Sequence, residues 1–214
     1  MKFLDTLKSI YFNFRYLPLR QAIYLPIWIT SNFKVKKLKR GQIILDYPYR
    51  RNFIFGASGS PGLQQHKGGI YLEANAKLRL HAMCVIGQGT VLRCDRDATI
   101  ELGPNFYCNK NCFLRSTNSI KFGSDCSLGW NVQINTSDGH TIWHGETRTA
   151  SSASISIGNH VWLTSNSIIT KGINIAEGCI VAQGSIVTKS IEERNTLIGG
   201  IPARLLRTDV KWEK

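Results

Sequence analysis

The chain has 214 residues, 43% of them hydrophobic, and carries 27 Lys and Arg against 14 Asp and Glu, a formal charge of +13. That is enough apolar material for one domain with a real core, which excludes wholesale disorder. Six scattered cysteines without a Cys-x-x-Cys pair exclude a disulfide framework and a thiolate zinc site, and predict reduced thiols in a core.

Residues 1–60 form a basic, aromatic segment, expected to be partly helical. Residues 1–53 hold 11 Lys and Arg against Asp5 and Asp46, a net of +9. Tyr11, Phe12, Phe14, Tyr16, Tyr24, Trp28 and Phe33 are interleaved with these charges. Two readings remain open: the rings pack the segment onto the main domain, or rings and cations together meet an anionic membrane face. No nucleic-acid module accompanies the charge, so no nucleic-acid partner is expected. The longest uncharged run here, Gln21 to Phe33, is 13 residues long and contains Pro26. That is too short to span a bilayer, which needs about 17–25 residues. No apolar leader with a small-residue cleavage site is apparent, so a cytoplasmic location is expected, with peripheral contact at the inner membrane face.

Within residues 70–191 an apolar residue recurs every sixth position in blocks, with short insertions between them (92 to 102, 114 to 122). Ile157, Leu163, Ile169, Ile175, Val181 and Val187 hold one phase, as do Phe122, Leu128 and Ile134. Upstream, Leu102, Cys108 and Leu114 form another such block, preceded by Leu80, Ile86 and Leu92. A period of six belongs neither to a lone strand nor to a helix. It fits a coil with three flat sides, one inward side chain per side and a small residue after it, stacked so that successive coils pair as parallel strands. The prediction is an all-β solenoid over 70–191, with a tail or short helix over 192–214.

Between Ile134 and Ile157 the period fails. Residues 138–154 form a polar excursion that carries His140 and His144. Near neutral pH an imidazole is the side chain best suited to take a proton from an attacking hydroxyl. That argument does not choose between the two histidines. The remaining histidines, His66, His81 and His160, read as structural.

The hexapeptide period resembles that of the hexapeptide-repeat acyltransferases, whose prism is a left-handed parallel β-helix. The stretch "IGNHVWLTSNSIITKGINIAEGCIVAQGSIVTKSI" followed by "GGIPARLLR" looks like the C-terminal half of maltose and galactoside O-acetyltransferases and of capsule and O-antigen polysaccharide O-acetyltransferases. "LGPNFYCNKNC" looks like the segment lining their acceptor pocket. The resemblance covers about residues 70–207. It implies a homotrimer, with acetyl-CoA as donor in a groove between two prisms and a saccharide, free or lipid-linked, as acceptor. It makes His140 the general base and leaves His144 to the acceptor pocket, with Asp138 a candidate to orient the imidazole as in a catalytic triad. Motif position gives donor contacts to Trp162, Ser165, Ala182, Gln183, Thr188, Lys189, Arg204 and Arg207. Asn109 falls on an acceptor-contacting asparagine, and Thr117 stands where the family has an acidic acceptor ligand. Thr164 stands where the family has glycine, so local adjustment is expected there.

The related γ-class carbonic anhydrases hold zinc through three histidines. Here His140 and His144 have no suitable third partner upstream, so no metal is expected. Two alternatives to saccharide O-acetylation stay open: another acceptor (an amino sugar, an antibiotic or serine), and a non-catalytic β-helix scaffold.

Overall fold

The computed structural model describes residues 3–59 and 67–214; His66 lies outside them. Three parallel sheets form the sides of a prism, and the chain visits them in rotation as a left-handed β-helix. The first face runs from Ile27–Ile29 through Phe53–Ala57, Cys84–Gly87, Phe106–Cys108, Ser127–Leu128, Trp162–Leu163 and Ile180–Val181 to Leu197–Gly200. The second runs from Lys34–Lys36 to Ile186–Val187, and the third from Ile43–Leu45 to Asn174–Ile175. Pairing is in register, as in Leu128 with Leu163 and Leu163 with Val181.

The period-six residues are the inward side chains. Ile86, Leu114, Ile134, Leu163, Ile169 and Val181 are all fully buried, and so are all six cysteines, which are free. Burial pushes the Cys94 thiol up to about 12 and Cys126 to about 11. These are core side chains, not reactive groups. Each coil must turn sharply at its corners, and several turns use a left-handed residue: Asn111, Asn131 and Asn166 between the first and second faces, Asn105, Asp125 and His160 between the third and first. Asn and Asp tolerate that conformation because their short polar side chains bond locally.

Two boundaries differ from the expectation. The β-helix starts at Ile27 and not near residue 70, since Ile27–Ile29 pairs in parallel with Phe53–Ala57 and Lys34–Lys36 with Gly69–Leu72. Ile29 and Val35 keep the six-residue step, but longer connections around 37–42 and 46–52 hide the phase. Residues 192–214 are neither a free tail nor a helix. Leu197–Gly200 joins the first face, and Ala203–Arg207 folds back antiparallel beside it.

The opening edge at Ile27–Ile29 would expose unpaired backbone groups. Helix α1 (Phe3–Tyr16) covers it with polar side chains on one face. Asn13 accepts from the Ile27 N–H at 3.1 Å and donates to the Ile27 carbonyl at 2.7 Å. The Ser9 hydroxyl accepts from the Ile29 N–H at 3.0 Å, and Asp5 Oδ1 from the Ser31 N–H at 2.6 Å. The match follows from geometry. Four residues of helix advance about 6.0 Å and two residues of strand about 6.7 Å, so positions i, i+4 and i+8 meet alternate strand residues. The helix therefore acts as a substitute strand.

Candidate active site

Most of the residues singled out in the sequence fall on the two long edges of the second face, while Trp162, Arg204 and Arg207 lie on first-face strands. Asn109, Ser165, Ala182 and Gln183 each follow a first-face strand and so lie at the edge shared by the first and second faces. Asn109, Trp162, Ser165 and Gln183 line one cleft of about 420 Å³, with Tyr107, Trp130, Trp212 and Lys214. A second cleft of about 620 Å³ adjoins it. It shares Tyr107, Ser127 and Lys214 and adds Arg50, Arg51 and Asn52. Trp162 is partly exposed, its ring 5.7 Å from that of Trp212. The Ser165 hydroxyl is buried and accepts from the Trp130 N–H at 3.2 Å. Thr164 is accommodated without a left-handed backbone: Asn166 takes the positive φ, and the Thr164 hydroxyl donates to the Val181 carbonyl at 2.7 Å.

The opposite edge, between the second and third faces, carries Thr117, Asp138, His140, Thr188 and Lys189. There the excursion leaves the prism as a small antiparallel hairpin, Ile142–His144 with Thr147–Thr149. His140 precedes the hairpin and His144 ends its first strand; both are exposed. Thr117 sits at the root of the excursion, its hydroxyl 3.0 Å from that of Thr136. Thr188 and Lys189 are exposed on the same edge two coils further on. Arg204 and Arg207 are exposed on the closing strand of the first face. Among the described residues no group of three or more His, Cys, Asp or Glu is placed to hold a metal ion.

Asp138 has a partner outside the loop. Its carboxylate pairs with Lys171 Nζ, and among the described residues no hydrogen bond joins it to His140. Lys171 also donates to the Ala150 carbonyl, so one ammonium fastens both ends of the excursion. Sequence reading missed Lys171. The signal was present: with Ile134 paired to Ile169, the register sets Lys171 beneath Thr136, at the root of the loop. The C-terminal residues were missed too. Trp212 stacks on His160 at 4.2 Å and donates its indole N–H to the His160 carbonyl at 2.9 Å, which lays Trp212 to Lys214 along the cleft. His160 is thus an anchor. His81 is held between carboxylates, Nδ1 2.6 Å from Asp46 and Nε2 2.8 Å from Glu101.

No family model matches the chain. Over 112 residues it is 32% identical to the galactoside O-acetyltransferase of Escherichia coli K12, covering 51% of this chain and 54% of that protein. Over 158 residues it is 27% identical to the putative lipopolysaccharide biosynthesis O-acetyl transferase WbbJ of the same organism, covering 67% of this chain and 80% of the relative. The chain spans little more than half the length of the first curated relatives it matches. The solved structure of the polysialic acid O-acetyltransferase OatWY superposes with a TM-score of 0.54 at 22% identity, covering 88% of this chain and 87% of that one. The chain resembles the hexapeptide-repeat acyltransferases in sequence and in fold.

For a hexapeptide-repeat chain, the placement has a direct chemical consequence. The cleft edge can receive an extended ligand along backbone and aromatic side chains, while the loop edge offers an imidazole on a projecting arm. In one chain the width of the second face lies between them.

Proposed function

We propose that the chain is an acetyl-CoA-dependent O-acetyltransferase acting on a saccharide hydroxyl. The acceptor would be a unit of a capsule, O-antigen or other surface polysaccharide, or its lipid-linked precursor. The active assembly is a homotrimer in which the cleft edge of one copy faces the loop edge of the next. The observation that carries this reading is the projecting, exposed His140 on an otherwise regular prism, in a chain whose relatives are named O-acetyltransferases.

In this mechanism His140 takes the hydroxyl proton as the acceptor oxygen attacks the thioester carbon. The tetrahedral intermediate then collapses, the carbon–sulfur bond breaks, and the imidazolium returns the proton to the departing thiolate. Ser165, Ala182, Gln183 and Trp162 would hold the pantetheine arm along one edge, with Thr188 and Lys189 contributed from the other. Arg204 and Arg207 would meet the phosphates, for which guanidinium is well shaped. Asn109 would contact the acceptor, and Thr117, lacking a carboxylate, suits a larger glycan than a single sugar held through an acid. His144 would line the acceptor side.

Release of free thiol from acetyl-CoA, measured with saccharide, amino-sugar and serine acceptors, tests the reading. Turnover with a saccharide hydroxyl supports it. Turnover confined to amine acceptors, or none with any acceptor, overturns it.

A further inference from the structure

Helix α1 is inverted relative to an ordinary surface helix. The residues it buries are Asp5, Ser9, Phe12 and Asn13, three of them polar and committed to the strand edge. The residues it shows to solvent are Phe3, Leu4, Leu7, Ile10, Tyr11 and Phe14, with Phe3 75% and Leu4 64% exposed. At 3.6 residues per turn these six fall on one arc of about 120°, opposite the buried side. Leu19, Ile23 and Tyr24, just beyond the helix, are also exposed. A contiguous apolar surface of this kind marks an interaction site.

Charge identifies the occupant. The one acid between residues 3 and 40, Asp5, is buried, so every exposed charge in that stretch is positive: Arg15, Arg20, Lys34, Lys36, Lys37, Lys39 and Arg40. Arg40 donates to the Phe14 carbonyl at the end of α1, which brings the cationic stretch beside the apolar arc. A second copy would present the same positive charge to this one. An anionic surface would not repel it.

We propose that the outward face of α1 is a membrane-docking surface, lying flat in the headgroup layer of an anionic bilayer with the cations of residues 15–40 around it. An apolar arc inserts to the acyl boundary while basic side chains meet the phosphates. No helix among the described residues is long and apolar enough to cross, so the mode is peripheral. The proposal is independent of the reaction the chain catalyses. The inward polar residues hold the helix to the prism, so insertion requires no unfolding.

The experiment is cosedimentation of the whole chain with vesicles of phosphatidylglycerol and phosphatidylcholine, and with phosphatidylcholine alone. The variants are L7Q/I10Q/F14Q and, on the same arc, L4Q/Y11Q. All five residues are exposed, and thermal unfolding checks that each variant is folded. Wild type should bind the anionic vesicles, and the triple variant should lose about 100-fold in partition. Its mass by sedimentation velocity and its thiol release should be unchanged. The proposal is overturned if wild type stays in the supernatant, if both variants bind as wild type does, or if the variants fall to a smaller mass. The last result would make the arc a contact between copies.

Discussion

The two long edges of the second face are built from the same repeat and differ in shape. Along the cleft edge the corners repeat: Asn111, Asn131 and Asn166 take the same left-handed turn, and Asn131 donates to the Asn166 side chain at 3.1 Å. That edge is a rail, its corners bonded from coil to coil. The opposite edge is interrupted between Asn135 and Ile155, and its hairpin returns few side chains to the core. Regularity suits holding an extended donor, whereas delivering one imidazole needs an exception to it. The prism places the exception and the rail on different edges, and the proposed trimer would bring them together across two copies.

The largest expected effect comes from removing the exception. His140→Ala should lose about 10²–10⁴ in kcat while acetyl-CoA affinity by calorimetry stays near wild type. His144→Ala should cost only a few-fold. The opposite ranking would move the base to the hairpin.

A second test separates the prism from both edges. Leu163 is fully buried directly before Thr164 and Ser165. Leu163→Ala should lower unfolding free energy by about 2–5 kcal/mol in a denaturant titration. It should weaken donor binding before it alters the loop. Unchanged donor affinity would mean that the rail is not the donor site.

Lys171 tests what fastens the exception. Its pair with Asp138 is partly exposed, so Lys171→Met should cost at most about 1 kcal/mol of stability. It should lower kcat by about tenfold and speed hydrogen exchange across 138–150, with Lys171→Arg restoring both. A variant with normal exchange and turnover would make the pair incidental. The smallest effect is expected for Asn109→Ala on the rail: a several-fold rise in acceptor KM with kcat nearly kept.

The prism was legible because its core follows a count. Each of Phe122, Leu128 and Ile134, and of Ile157 through Val187, is an inward side chain, and the loop announced itself by breaking that count. The first coil was not legible, since its corners are long and its phase is lost between Val35 and Leu45. The orientation of helix α1 was not legible either, because its polar face is bonded to a strand edge rather than to water and its apolar face is left outward. The N-terminal aromatics divide accordingly: Phe12 and Phe33 pack inside, while Tyr11, Phe14 and Tyr24 face out. Of the candidate site, the residues named from the motifs are proposals whose placement along the edges the fold supplies. The pairing of Asp138 with Lys171, 33 residues on, follows only once the coil register is known, and the folding of Trp212 onto His160, 52 residues away, follows from no local pattern.

The central claim is that one copy's rail and another copy's loop make each site. It is tested by mixing two inactive chains, His140→Ala and a rail variant that fills the donor cleft, Gln183→Trp, after unfolding and refolding together. In every mixed trimer one interface would pair the intact rail of the first chain with the intact loop of the second. Thiol release should then return to about a quarter of wild type from two preparations that are nearly inactive alone. Mixed trimers that form, by mass, yet stay inactive would contradict the account, as would a monomer that turns over at the wild-type rate.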